Sequence, residues 1–167
     1  MTIKVGDQLP EARLAEYVDV ASEACAVGPS KVMVHEATKG KKIAIFAVPG
    51  AFTPTCSEQH APAYIKMADQ FKAKGVDEIW CLSVNDPFVM GAWGREQKAA
   101  GKVRFIADGS GTFTKALGLE FDLTKGGLGV RSQRYSMLVE DGTVKVLNVE
   151  DSGHLEVSTA EKLLAQI

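Results

Sequence analysis

The sequence predicts an α/β domain with a central mixed β-sheet flanked by helices and hairpin additions at the N-terminus. Three observations lead there. Two nearly continuous apolar runs, Ile43 to Val48 and Glu78 to Val84, read as central strands covered on both faces. A helical pattern between them makes a right-handed βαβ unit. A hairpin signal, Asp141-Gly142, and a closing amphipathic segment then complete the sheet and cover it. At 167 residues the whole chain, 1–167, fits one domain with one core.

Taken in order, residues 3 to 18 carry Gly6 and Pro10 among apolar positions and predict an edge hairpin or arm. Val18 and Val20 alternate, and Val32 to His35 follows Gly28-Pro29, consistent with a peripheral hairpin that has Cys25 in its loop region. After the first central strand, a helix is expected from about Thr55 to Lys74. Ala61, Ile65, Ala68 and Phe71 form one buried stripe on it, Pro62 should kink it, and Gly75 stops it. Asn85-Asp86-Pro87 is an N-cap with proline behind it, opening a helix to Ala100 that ends at Gly101. That helix carries Phe88, Met90 and Trp93, either core residues or a subunit interface.

Val103 to Ile106 is a third strand, and Thr112 to Leu117 a short helix stopped by Gly118. Gly126 to Gly129 follows no strand, lacks the full dinucleotide spacing and reads as a flexible loop. Strands from Arg134 to Glu140 and from Thr143 to Val149 flank the Asp141-Gly142 turn. The last helix starts at the capping box Ser158-x-x-Glu161 and turns Leu163, Leu164 and Ile167 inward. This order is the thioredoxin-like plan.

Composition narrows the function. With 19 basic and 21 acidic residues the formal net charge is −2, which gives no electrostatic case for nucleic acid or an anionic membrane. No apolar run approaches the roughly 20 residues of a membrane span. The N-terminal residues have no signal-peptide core. Cys25, Cys56 and Cys81 make no CxxC and no zinc pattern. Free thiols in a reducing, cytoplasmic compartment are therefore expected. His35 and His154 stand alone, with no second histidine at ligand spacing, and read as surface or core histidines.

The chemistry concentrates between Ala47 and His60. Thr53-Pro54 reads as an N-cap with proline at the first helical position, and Thr55-x-x-Glu58 reads as a competing capping box. Either start puts Cys56 in the first turn of a helix, where free N–H groups and the dipole favour a thiolate. Ionisation alone raises the thiolate fraction by roughly thirtyfold at neutral pH, and nucleophilicity falls as the pKa falls. A fast enzyme needs donors aimed at the group under attack. Thr53 offers a hydroxyl on the same turn, while Pro49 and Pro54 restrict the loop and shield the sulfur. The site is expected beyond the carboxyl end of the first central strand.

Pro49, Thr53 and Cys56 in this frame resemble a peroxiredoxin. The stretches Gly50 to Pro54, Cys81 to Asp86, Phe88 to Trp93 and Arg134 to Val139 resemble the peroxiredoxin 5 branch, called type II in plants, and the likeness covers nearly the whole chain. It implies a peroxidase for hydrogen peroxide and alkyl hydroperoxides with no metal or organic cofactor. Cys56 matches the peroxidatic cysteine, which becomes a sulfenic acid. Thr53 matches the hydroxyl that binds peroxide, Pro49 the shielding proline, and Arg134 the arginine that holds thiolate and peroxide. Spacing alone does not choose Arg134 over Arg131. His60 matches a family position that is either a helper or a helix-surface group. Backbone N–H groups near Gly50 and Cys56 complete the site, with Leu128 on an apolar rim.

Recycling is where the chain departs from its relatives. Animal members carry a resolving cysteine in the region aligned with Leu155 to Ser158, and here there is none. Cys81 lies 25 residues after Cys56, as in plant members, but its place inside a central strand argues against a bridge without local unfolding. A one-cysteine cycle reduced by glutathione and glutaredoxin, or by thioredoxin, is favoured over a Cys56–Cys81 disulfide. The branch also tends to form homodimers near the active site. Two other classes compete: a thiol hydrolase, which would need His60 as its base, and a non-catalytic thioredoxin-like binding or holdase module.

Overall fold

The computed structural model describes residues 1–18 and 28–167, so Cys25 and Val20 lie outside the described residues. Seven strands form the main sheet: β1 (Arg13–Glu16), β2 (Ser30–Met33), β3 (Lys42–Val48), β4 (Glu78–Ser83), β5 (Arg104–Ala107), β8 (Tyr135–Glu140) and β9 (Thr143–Val149). Their order is β2-β1-β5-β4-β3-β8-β9. The strands β3, β4 and β5 run parallel, and β8 pairs antiparallel with β3. The expected mixed sheet is present, with the βαβ unit at its centre and β1–β2 as the N-terminal addition.

Alternation along β3 divides the core in two. Ala44, Phe46 and Val48 face one apolar cluster, while Ile43, Ile45 and Ala47 face the other. The first cluster also holds Cys56, Tyr64, Phe71, Cys81, Met90, Trp93 and Leu163. Phe46 and Tyr64 stack with centroids 4.0 Å apart, and Phe71 continues the column at 5.6 Å from Tyr64. Burying each such ring contributes roughly 1.5–3 kcal/mol, so this column fixes the helical segment that follows Cys56.

The single helix expected from Thr55 to Lys74 is three pieces: a π-helical turn (Cys56–His60), α2 (Ala61–Lys66) and α3 (Ala68–Ala73). Pro62 explains the first change. It cannot donate to an α-helical partner, and the turn widens just before it, with the Ala61 N–H donating to the Cys56 carbonyl. The second break falls at Met67, with φ −95° and ψ 9°, not at the proline. All four residues of the expected stripe are nonetheless buried.

Other elements differ locally. His35 sits in a short helix, α1 (Val34–Thr38), not in a strand. The helix α4 (Pro87–Glu96) begins as expected, with Asp86 capping the Val89 N–H, but ends before Ala100. Helix α5 (Thr112–Leu117) matches its expected span and ends at Gly118, whose φ is +72°. The Gly126 to Gly129 stretch is a tight turn joining β6 (Glu120–Leu123) to β7 (Gly129–Ser132), a hairpin the glycine pattern did not announce. Helix α6 (Ala160–Ala165) is capped by Thr159, because the Ser158 hydroxyl is engaged by Glu150.

Candidate active site

The carboxyl end of β3 leads into the loop from Pro49 to Thr55. The Thr53 hydroxyl donates to the Gly50 carbonyl at 2.8 Å, and the Ala51 N–H donates to Asn85 Oδ1 at 3.0 Å. The first helical bond runs from the Ser57 N–H to the Thr53 carbonyl at 2.9 Å, so the chain uses the Thr53-Pro54 start. The Thr55–Glu58 box is not made. Helix α4 clamps the same turn: Trp93 Nε1 donates to Ser57 Oγ at 3.0 Å, and Gln97 donates to the Ser57 carbonyl at 3.1 Å. Pro54 is exposed and serves to set the backbone, not to cover the sulfur.

Cys56 has no solvent exposure, yet its sulfur has a charged partner. Ala47 is in register with Tyr135, which brings Arg134 beside the end of β3. Arg134 Nη2 donates to Cys56 Sγ at 3.2 Å. Arg131, three residues earlier on β7, reaches the same loop but not the sulfur: its Nε donates to the Leu128 carbonyl at 2.8 Å and its Nη1 to the Pro49 carbonyl at 3.3 Å. Pairing register thus separates two arginines that spacing could not. Leu128 is 40 % exposed at the hairpin turn.

His60 is buried, not on the helix surface. Its Nε2 lies 2.9 Å from the Ser158 carbonyl, which can only accept, so Nε2 carries the proton. Its Nδ1 lone pair then accepts from Arg134 Nη1 at 2.9 Å. Burial, and secondarily the Arg134 charge, hold the imidazole neutral with a pKa pushed down to about 3. A hydrolase would need that lone pair as a base for the sulfur, and Arg134 already occupies it. Tyr64 donates to the same Ser158 carbonyl at 2.8 Å, and burial keeps its phenol protonated.

Cys81 lies in mid-β4, between Phe46 on β3 and Phe105 on β5, with no exposure. Burial, then the neighbouring Cys56, push its thiol well up. Met90 and Trp93 are fully buried core, whereas Phe88 is 57 % exposed, so the triplet splits. His35 bonds the Leu9 carbonyl and His154 lies at the surface beside Glu156. Among the described residues, no three His, Cys, Asp or Glu side chains cluster as a metal site would require.

Comparison with known proteins places this chain in a family. The redoxin family profile matches residues 4–164. Peroxiredoxin-2C of Oryza sativa is 49 % identical over 97 % of this chain and 96 % of its own length. The crystal structure of reduced Prx3 from Vibrio vulnificus, in complex with hydrogen peroxide, superposes with a TM-score of 0.90 at 50 % identity, covering 99 % of this chain and 96 % of that one. Peroxiredoxin 5 from Alvinella pompejana gives 0.81 at 37 % identity, covering 98 % and 96 %.

The chain belongs to the redoxin family and is a peroxiredoxin. As such it has the thioredoxin-like fold and is a thiol-dependent peroxidase. Of the residues of this peroxiredoxin singled out in the sequence, the structure brings Cys56, Arg134 and His60 into direct contact and puts Thr53 on the turn before the sulfur. Glu150, Ser158 and Tyr64, which pack behind His60, were not singled out for the site. Ser158 was visible only as a false helix cap. Nothing local marks a carboxylate that organises a loop by accepting several of its N–H groups.

Proposed function

We propose that the enzyme reduces hydrogen peroxide and alkyl hydroperoxides through a sulfenic acid on Cys56. The reading rests above all on the Arg134 guanidinium, 3.2 Å from the Cys56 sulfur. The Cys56 thiolate attacks the nearer peroxide oxygen, the O–O bond breaks, and the leaving alkoxide takes a proton to become alcohol or water. The guanidinium holds the attacking sulfur and the departing oxygen together, because its donors lie in one plane and stay charged. The Thr53 hydroxyl has given its hydrogen to Gly50, so its lone pairs can accept from a peroxide O–H.

A first thiol then displaces water from the sulfenic acid to form a mixed disulfide with Cys56. A second thiol attacks that disulfide, releasing Cys56 as its thiolate while the two reductant sulfurs leave joined as a disulfide. Glutathione with glutaredoxin, or thioredoxin, supplies those thiols from outside. What supports a one-cysteine cycle is the placement of Cys81 within the hydrogen-bonded centre of the sheet. Free thiols at Cys56 and Cys81 agree with a reducing, cytoplasmic location. Exposed Phe52 and Phe88 offer the apolar surface for a homodimer: Phe52 lies near Trp93 and Phe88 against Tyr17.

Peroxide consumption with each reductant, followed by mass spectrometry of the oxidised protein, tests the cycle. A Cys56 sulfenic acid or a glutathione adduct on Cys56 is expected. A dominant Cys56–Cys81 disulfide would replace the one-cysteine cycle with an intramolecular one, and no oxidation at Cys56 would sink the proposal. Light scattering of wild type against Phe88→Asp tests the dimer.

A further inference from the structure

The groups that face peroxide do not hold themselves in place. Among the described residues the Arg134 guanidinium has two hydrogen-bond partners, Cys56 Sγ and His60 Nδ1, while its buried Nε has none. The contact with His60 therefore sets how the guanidinium meets the sulfur. His60 is in turn held by the Ser158 carbonyl, and that carbonyl belongs to a loop built around one carboxylate.

Glu150 follows β9 and is 6 % exposed. Its N–H donates to the Arg134 carbonyl at 2.9 Å. Its Oε2 accepts from the backbone N–H groups of Glu156 at 2.8 Å, Val157 at 2.9 Å and Ser158 at 2.7 Å, and from Ser158 Oγ at 2.6 Å. Four donors on one ionised oxygen are a strong, charge-assisted set. They fold residues 151–158 back so that the Ser158 carbonyl meets His60 and Tyr64.

We propose that Glu150 is a positioning residue for peroxide reduction. Its carboxylate builds the turn whose Ser158 carbonyl fixes the His60 tautomer, and through His60 aims Arg134 at the Cys56 sulfur. This rests on the peroxidase reading above and extends it from the reacting groups to the loop behind them. Without the carboxylate the Ser158 carbonyl drifts, His60 can turn or change tautomer, and the guanidinium loses its fixed bearing.

The test uses the full-length reduced protein. Glu150→Ala is expected to lower the rate constant with hydrogen peroxide on the order of tenfold to a hundredfold, as small misplacements at a reacting centre do. Alkylation of Cys56, which needs no aimed guanidinium, should fall far less. In an Arg134→Ala background the same change should add no further loss, since both act through one contact. Nitrogen NMR of His60 should report a single neutral Nε2–H tautomer in wild type and lose it in Glu150→Ala. If Glu150→Ala fails to fold by circular dichroism, Glu150→Gln carries the same measurements with a smaller loss. Additive losses in the two backgrounds, or an unchanged His60 tautomer, overturn the positioning role. A wild type inert to peroxide would instead overturn the peroxidase reading, while the NMR arm still decides the place of Glu150.

Discussion

Cys56 and Cys81 are both fully buried free thiols packed in one apolar cluster, yet they are different chemical objects. Cys56 stands where a strand has ended and the chain is turning, so a guanidinium can approach its sulfur from the neighbouring antiparallel strand. Cys81 stands inside a strand flanked on both sides, where backbone groups are paired and only side chains of the core can reach it. Burial pushes the Cys81 thiol up, whereas at Cys56 the Arg134 guanidinium reaches the sulfur, and a charge in a water-poor setting acts with less screening. Exposure alone does not set the two cysteines apart; the partner does.

The sharpest break of that contrast removes the attacking sulfur. Cys56→Ser should lower peroxide consumption by roughly a thousandfold or more, since a serine hydroxyl is not ionised near neutral pH. Activity close to wild type would remove the contrast altogether. Next comes the partner. Arg134→Ala should cost about a hundredfold to a thousandfold in the rate constant with peroxide, the range for losing a donor aimed at developing charge. Stopped-flow mixing of reduced protein with peroxide measures it, and a loss below threefold would mean the 3.2 Å contact is only structural.

His60 turns the comparison into one of stability. Its pKa is near 6.5 in an unfolded chain and about 3 when folded, so below pH 6.5 the unfolded state binds a proton the native state refuses. Stability is complete above that pH and falls as pH drops, by about 1–2 kcal/mol between pH 6.5 and 5. The carboxylates held low by hydrogen bonds, Glu78 and Glu150, lose their contribution at lower pH. Denaturant titrations of His60→Gln should therefore be flatter across that window than those of wild type. Equal slopes would place the titrating group elsewhere. Thr53 should matter less. Thr53→Val removes the acceptor and should slow peroxide reduction about tenfold, whereas Thr53→Ser should keep most of the rate. A full rate in Thr53→Val would mean peroxide does not use that oxygen.

What could be read from the sequence follows contact range. The βαβ unit and the Cys56 turn are written in runs and spacings of a few residues, so apolar periodicity and Thr53-Pro54 were enough. Spacing could not choose Arg134 and the family resemblance did; the physical reason, β8 lying beside β3 with Ala47 opposite Tyr135, is a fact of register that no local pattern carries. Glu150 was invisible for a further reason. Its partners are backbone N–H groups, which every residue but proline carries, so no side-chain pattern marks them. The widened turn before Pro62 escaped as well, because it spans Cys56 to His60 and the buried stripe begins only at Ala61, so the apolar spacing carries no trace of it.

The mildest change tests the other half of the contrast. Cys81→Ala deletes one sulfur from the centre of the sheet and should cost on the order of 1 kcal/mol of stability, as small buried truncations do. Its rate with peroxide and its turnover with glutathione and glutaredoxin, or with thioredoxin, should match wild type. The reason is geometric before it is electrostatic: to resolve a Cys56 sulfenic acid, Cys81 would have to leave a strand paired on both sides, or the turn from Cys56 to His60 would have to unwind toward it. If turnover collapses while the first reaction with peroxide stays fast, that unwinding does occur, and the two cysteines are consecutive participants in one cycle.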